Sequence, residues 1–456
     1  MSFAIVSHMI LKIWKTCFVF ALVTSILCST QEIARAKTSL SNEAYALDMV
    51  NRMRNNPLAY AEQLGYNRAL LLEQQPWLSG ITQGLGVVAY SYSLTTQASI
   101  QNAEDYSASG SEILYLDDAG TAVSKAVTTM NIEYAAEGTV SGIVSFYNLM
   151  DAQTAIGLVI NNQFKNELDA SYEGKRILLS PQFRQMGTAI RAGQLQVDSR
   201  HNNAFFVYTC FSSSLLKSEV QVINMLNQVR AYPDQAETYL SFNLDFLPGG
   251  YTPLFFNDAL ISASQTVLHN EVDVHAHALY FGFPQPDVGY TNVLERFPSA
   301  DSNTLARWIF SSLMVREVAA YPTRDAIFNP AWNEIGPALY AVGNNSYNSI
   351  KLTMVSGYDY KEDTGLSRIY GVVYTDSDSN GAYTPGEDAS DLLISVYDNR
   401  TGLKVRTIYT NKAGQFSLTL PNNVEYNIET INKGKRSGQL LVLTKDQFLE
   451  LIVEAQ

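Results

Sequence analysis

The chain has 456 residues, 46% of them apolar and 16% charged, and a net charge of −13. These figures exclude a disordered chain and imply two or three globular domains with sizeable cores. An acidic chain repels phosphate backbones, which argues against nucleic acid as a partner.

In chain order, the N-terminus reads as an export signal. Lys12 and Lys15 precede the apolar run Thr16 to Cys28, and Ala34-Arg35-Ala36 supplies an A-x-A cleavage site, so residues 1–36 are expected to be removed. The run is shorter than the roughly 20 residues needed to cross a bilayer, and no second long apolar segment follows. The expected mature chain has no transmembrane span and is secreted or held in the cell envelope. Cys17 and Cys28 leave with the signal, so Cys210 stands alone without a disulfide partner. Its flank AFFVYTCFSS reads as a strand, which makes it a small buried apolar residue.

A duplication follows. ALDMVNRMRNNPLAYAEQL, from Ala46, is echoed 176 residues later by VINMLNQVRAYPDQAETYL, from Val222, so that Asn51, Arg54 and Pro57 recur as Asn227, Arg230 and Pro233. Apolar residues before each proline recur at helical spacing, and the proline is expected to end or kink that helix. Late in each unit, Pro181, Phe183 and Gly187 recur as Pro330, Trp332 and Gly336. Both units read as helices first and strands last, a pattern in which helices cover a sheet. The units are expected over residues 37–215 and 216–360, with a linker at 361–367.

From Arg368 the texture changes to short alternating runs separated by turn signals such as Asn411-Lys412-Ala413-Gly414, which predicts a small β-sandwich over 368–456. The last stretch, TKDQFLELIVEAQ, reads as a terminal helix. Within the sandwich, DSDSNGAYTPGE (Asp376 to Glu387) has the spacing of a calcium loop, D-x-[DN]-x-[DN]-G-x5-E, but strand-like flanks. Calcium takes six to eight oxygens, and Asp376, Asp378, Asn380, the Ala382 carbonyl and Glu387 are the expected donors. Thr384, inside the loop, supplies no charge. A closed oxygen site of this kind holds a loop in place and does no chemistry.

The repeated N-x-x-R-x-x-P and late P-x-[FW]-x-x-x-G resemble the CAP superfamily (cysteine-rich secretory proteins, antigen 5, pathogenesis-related 1), and Ala136-Glu137 resembles its G-E-N phrase. The segment from Arg368 resembles the B-type repeats of bacterial surface adhesins, carried by Gly371-Val372-Val373-Tyr374, the calcium loop and Thr410-Asn411-Lys412-Ala413-Gly414-Gln415-Phe416. The resemblance implies an α+β multidomain chain: two αβα-sandwich CAP-like domains followed by a small all-β sandwich. It also implies a cleft tetrad of two histidines and two glutamates that binds zinc in some members.

Here that tetrad is incomplete. Of five histidines, His8 lies in the signal, and His201, His269, His275 and His277 miss the expected places. Tyr280-Phe281-Gly282-Phe283 stands where one tetrad histidine is expected, and Gly174 and Thr323 where the other is. Glu137 matches the phrase in the first unit, and Thr291 is expected at the corresponding place in the second. Zinc is therefore not expected, and Glu137 is a weak catalytic candidate. The reading is an exported, non-catalytic binding or adhesion protein whose ligand, a protein, glycan or lipid, is unknown. The alternatives are an envelope hydrolase or protease with a divergent cleft, or a carrier of an apolar ligand.

Overall fold

The computed structural model describes residues 42–454 apart from 82–83, 109–132, 147–149, 173, 198–199, 241–242, 246, 248–249, 270–272, 285–287, 298–300, 321–326, 344–347, 358–364 and 433. The proposed signal, most of the proposed linker and Thr323 lie outside the described residues. What is described is an α+β, multidomain chain with four sheets.

Unit 1 opens with a helix over residues 42–55, and Asn56 then caps a second helix, Pro57–Gln63. Pro57 takes the first helical position, where its missing N–H and fixed φ cost nothing. The proline thus starts a helix as well as stopping one, and Pro233 does the same in Pro233–Leu240, directly after Lys217–Ala231. The sheet of unit 1 contains β1 (Ala89–Tyr90), β2 (Glu137–Phe146), β3 (Gln185–Val197) and β4 (Arg200–Ser212), ordered β1-β3-β4-β2. Side chains on β4 alternate between two cores. Tyr208 and Cys210 pack with Leu94 and Ala98 of the Tyr92–Ala108 helix. Val207 and Phe211 pack with Ile156 and Ile160 of the Ala152–Leu168 helix. Because successive strand residues point to opposite faces, the sheet lies between two helical layers.

Unit 2 repeats this topology. Its strands β5 (Phe255–Phe256), β6 (Val288–Phe297), β7 (Glu334–Gly343) and β8 (Asn348–Gly357) are ordered β5-β7-β8-β6, again with one parallel pair and two antiparallel pairs.

Both echoed motifs have the same structural job in each copy. The Asn51 side chain donates to Val88 O (3.1 Å) and accepts from Val88 N–H (2.8 Å), while Asn227 does the same with Leu254 (3.0 and 2.8 Å). The buried Arg54 guanidinium donates to the carbonyls of Leu85, Gly86, Leu178, Ser180 and Phe183. Arg230 donates to Thr252, Ile327, Asn329 and Trp332. A buried guanidinium with five fixed donors can satisfy several loop carbonyls at once. The late glycines are fixed by contact: a Cβ on Gly187 would lie 2.1 Å from Thr95 N, and one on Gly336 2.0 Å from the Leu260 carbonyl carbon, so a helix rests directly on the strand in each unit.

The third body, hereafter the module, is a β-sandwich. One sheet runs β11-β10-β13-β14 and the other β12-β9-β15. Their spans are β9 Leu366–Tyr374, β10 Leu393–Asp398, β11 Lys404–Tyr409, β12 Gln415–Pro421, β13 Val424–Asn432, β14 Lys435–Leu443 and β15 Gln447–Ile452. Leu366 and Ser367, read as linker, already belong to β9. The expected terminal helix is absent: Gln447–Ile452 is a strand parallel to β9. Its apolar run does not alternate because both faces are covered. Leu449 and Leu451 point into the sandwich, and Phe448 joins the core of unit 2. β9 is divided in the same way, with Ile369 and Val373 inside the sandwich and Tyr370, Val372 and Tyr374 in the core of unit 2. The module and unit 2 therefore share one hydrophobic core.

Candidate functional site

The module wedges itself between the two units and places a cation on a buried carboxylate of each. On unit 2, Arg368 pairs with Glu334 and Asp446, its guanidinium 3.8 Å from the centre of the Phe255 ring. On unit 1, the Lys412 ammonium lies 2.7 Å from Glu137 Oε2. The Glu137 side chain is 1% exposed, so its contact with Lys412 is shielded from water. Lys412 sits in the tight turn between β11 and β12, and its N–H also donates to Ala135 O (2.7 Å). From β11, Tyr409 donates its hydroxyl to Gly174 O (3.1 Å), and Arg406 donates to Trp77 O (3.2 Å). In the other direction, Gln182 donates to Tyr409 O and Lys175 pairs with Asp391 (2.6 Å).

The module contacts both Glu137 and Gly174, the two residues of unit 1 that the sequence resemblance singled out. No histidine is brought to Glu137 among the described residues. His275 is exposed on the short Val274–Tyr280 helix, where its N–H donates to Asp273, and His277 Nδ1 lies 3.0 Å from Asp273 O. His269 ends the Asp258–His269 helix and His201 lies on β4.

The strand registers correct one assignment in unit 2. Glu137 pairs with Ser212, which pairs with Gln185, whereas Val288 pairs with Gly357, which pairs with Glu334. Gly138 lies against Phe183 as Gly289 lies against Trp332. The counterpart of Glu137 is therefore Val288, three residues before Thr291, and it is a buried apolar residue packed with Phe283. Thr291 instead donates its hydroxyl to Glu317 (2.7 Å).

Sequence reasoning passed over Glu167. It is fully buried and accepts the N–H groups of Ile177, Leu178 and Leu179 at 2.8–3.0 Å. Burial raises its pKa, and these bonds pull it back. Arg54 holds the carbonyl of the same Leu178, so one loop is gripped by an anion and a cation together. Cys210 behaves as its context predicts: it is buried, and burial first and Glu137 second push its thiol up to about 12.

The acidic loop joins β9 to β10, from one sheet of the sandwich to the other. It brings carboxylate oxygens of Asp376, Asp378 and Glu387 within 4.8 Å of one another, a set able to hold a metal ion. Asp376 accepts from Asn380 N–H (3.0 Å) and Gly381 N–H (3.1 Å), and Gly381 has the positive φ (74°) that such a sharp turn needs. Asn380 donates its amide to Asp378 and Thr384, and its Oδ1 accepts from Ala382 N–H. Glu387 is buried and accepts from Ser377, Asp378 and Thr384. The loop abuts unit 2 through the next residue, Asp388, which accepts from Gln221 (2.8 Å) and pairs with Lys217 (3.3 Å).

No protein-family model matches this chain, and no curated protein matches it. Among solved structures, the crystal structure of Na-ASP-1 aligns with 64% of this chain and 90% of its own, at 9% identity and a TM-score of 0.19. Na-ASP-1 is a CAP-superfamily protein, and the similarity is weak. Among the described residues, no helix is long and apolar enough to cross a membrane.

Proposed function

We propose that this chain is an exported, non-catalytic protein of CAP type that binds a partner at the cell surface or outside the cell, and that its β-module is stapled by calcium. The observation that carries the non-catalytic reading is the occupancy of the unit 1 cleft by the module. The Glu137 carboxylate is bonded to Lys412 (2.7 Å) and Gly174 to Tyr409, which leaves the tetrad position buried and neutralised. A general base needs access to a substrate proton within hydrogen-bond reach, and Glu137 spends its reach on a lysine of its own chain. In unit 2 the same position is Val288, which has no titratable group. The test is hydrolysis of casein and of simple esters by the parent chain and by Glu137→Gln. No activity dependent on Glu137 is expected, and any turnover abolished by the substitution overturns the reading.

The support for calcium at the acidic loop is the gathering of three carboxylates there. Calcium takes its oxygens at 2.3–2.6 Å, and carboxylate oxygens of the three residues lie within 4.8 Å of one another. Asp376, Asp378 and Glu387 would hold the ion, with Asn380 and the Ala382 carbonyl as further oxygen donors. The ion would screen mutual repulsion among these carboxylates and fix the connection between β9 and β10. Thermal unfolding of the full chain is expected to shift upward with calcium, and Asp376→Ala or Glu387→Ala to remove the shift. An unchanged midpoint in the parent ends the calcium assignment.

A further inference from the structure

The edge strand of a sheet carries a row of open main-chain groups that invite further pairing, and folded proteins blunt such edges. Three of the module's four edge strands are blunted or covered. β11 has six residues, a register shift against Val396 and Tyr397, and Arg406 and Tyr409 held on unit 1. β12 ends in Pro421, and its other exposed positions are Ser417 and Thr419. β15 has six residues, with Phe448 set in the core of unit 2 and Glu450 accepting from Gln228. β14 is different. Its nine residues keep an unbroken register with β13, its charges Lys435 and Arg436 are confined to its start, and Leu440 and Val442 are 58% and 52% exposed.

The Leu443 carbonyl accepts from Asn423 N–H (2.8 Å) on the β13 side, while the Val442 carbonyl accepts from the Gln447 side chain (3.3 Å) on the other. Main-chain groups of an antiparallel strand alternate in direction, so Arg436, Gly438 and Leu440 face outward with Val442. Among the described residues, no other strand pairs with β14 on that side. We infer that β14 is a dimerisation edge, on which β14 of a second copy pairs antiparallel about a twofold axis at Gln439. In that register Arg436 lies opposite Val442 of the second copy, and Gly438 opposite its Leu440. All four outward residues of each copy are then used, for about eight main-chain hydrogen bonds, and the Gln447 amide gives way to a main-chain N–H. Side chains favour a second copy over an unrelated strand. Ile431 lies beside Arg436 in the β13–β14 ladder, and Glu425 beside Val442. With strands about 4.8 Å apart, Arg436 comes about 10 Å from Glu425 of the second copy, a span that the two side chains bridge. The arginine stem lies on Ile431 and on Val442 of the second copy. Arg436 is 71% exposed and already faces Glu429 of its own chain (3.7 Å), and Lys435 pairs with Glu454. The second copy sets no carboxylate against Glu429, since Leu440 and Asn427 are the residues that come there. Twofold symmetry makes each of these matches twice.

The inference is independent of what the two units bind and of calcium. Sedimentation velocity of the full chain over a dilution series is expected to show a dimer passing reversibly to monomer. Leu440→Lys puts a charge on the exposed edge and is expected to raise the half-dissociation concentration about ten-fold or more. Gln439→Cys sets two thiols across the axis as a non-hydrogen-bonded pair, with Cα atoms about 4.5 Å apart. A disulfide spans roughly 4.4–6.8 Å between Cα atoms, so mild oxidation is expected to join Gln439→Cys chains. Ser437→Cys chains, whose thiols lie well apart in this register, are expected to stay separate, and the native Cys210 is buried. A chain that is monomeric at every concentration, a dimer indifferent to Leu440→Lys, or cross-linking of Ser437→Cys in place of Gln439→Cys each overturns the proposal.

Discussion

Arg230→Met removes the guanidinium from the centre of unit 2 while keeping most of the side-chain stem. In the native chain that group serves the carbonyls of Thr252, Ile327, Asn329 and Trp332, and Arg230 is fully buried. Burial lowers its pKa to about 9, with Tyr251 acting in the opposite direction, so it remains a cation at neutral pH. An orphaned buried acceptor costs about 1–3 kcal/mol, and a carbonyl with one unmet lone pair falls at the low end of that range. Asn329 O keeps the Trp332 N–H, so the other three carbonyls give a loss of about 3 kcal/mol, a large part of the roughly 5–15 kcal/mol that holds a domain together. Arg54→Met orphans four carbonyls in unit 1, Leu85 O keeping the Arg184 guanidinium, and is expected to cost as much or more. The assay is urea unfolding of the full chain followed by tryptophan fluorescence, with Arg52→Met as the control. Arg52 makes only an exposed pair with Asp48, so its loss is expected to cost less than about 1 kcal/mol. If Arg230→Met is no more destabilising than Arg52→Met, the idea that the repeated arginine braces each unit is refuted.

Gly336→Ala places a Cβ about 2 Å from the backbone of the Asp258–His269 helix. The helix must lift off β7, and a loss of about 3 kcal/mol or more is expected in the same unfolding assay. Glu450 has its pKa pushed up to about 7 by burial, against the hydrogen bond from Gln228. A raised carboxyl favours its protonated form in the folded chain, so this contribution is fully present below about pH 4.5 and is lost as pH rises through about 7. The melting temperature is therefore expected to fall between pH 5 and 8, and less steeply in Glu450→Gln; equal slopes would count against a buried Glu450.

The duplication was legible because its motifs are mechanical. Asn51 and Arg54 each do one job that no other side chain does as well, and so do Asn227 and Arg230. The place of the module was not legible. Ser218, Gln221, Asn224 and Gln228 form a polar stripe on the Lys217–Ala231 helix, which sequence periodicity assigns to solvent. In the structure that stripe is buried under the module: Asn224 donates to Ala413 O and accepts from the Tyr370 hydroxyl, and Gln228 donates to Glu450. A polar face docked on polar partners has the same pattern as one facing water. The C-terminal strand was misread for a related reason, since Phe448, Leu449 and Leu451 are buried on both faces and lack the alternation of a half-exposed strand. The offset between Thr291 and Val288 emerged only from the pairing register, because the glutamate before Gly138 has no counterpart before Gly289. At the acidic loop, the residues brought together are Asp376, Asp378 and Glu387, as the spacing suggested, while the side-chain oxygen of Asn380 turns to the Ala382 N–H.

The most direct test of the central claim, that the module closes the cleft of unit 1 through Glu137, is a double-mutant cycle on Glu137 and Lys412 measured by unfolding of the full chain. Lys412→Met removes the ammonium at 2.7 Å from a carboxylate with 1% side-chain exposure, and a cost of about 3 kcal/mol is expected. Combining it with Glu137→Gln is expected to restore most of that loss, for a coupling of at least about 2 kcal/mol. A coupling below about 0.5 kcal/mol would mean that the pair does not hold the module over the cleft.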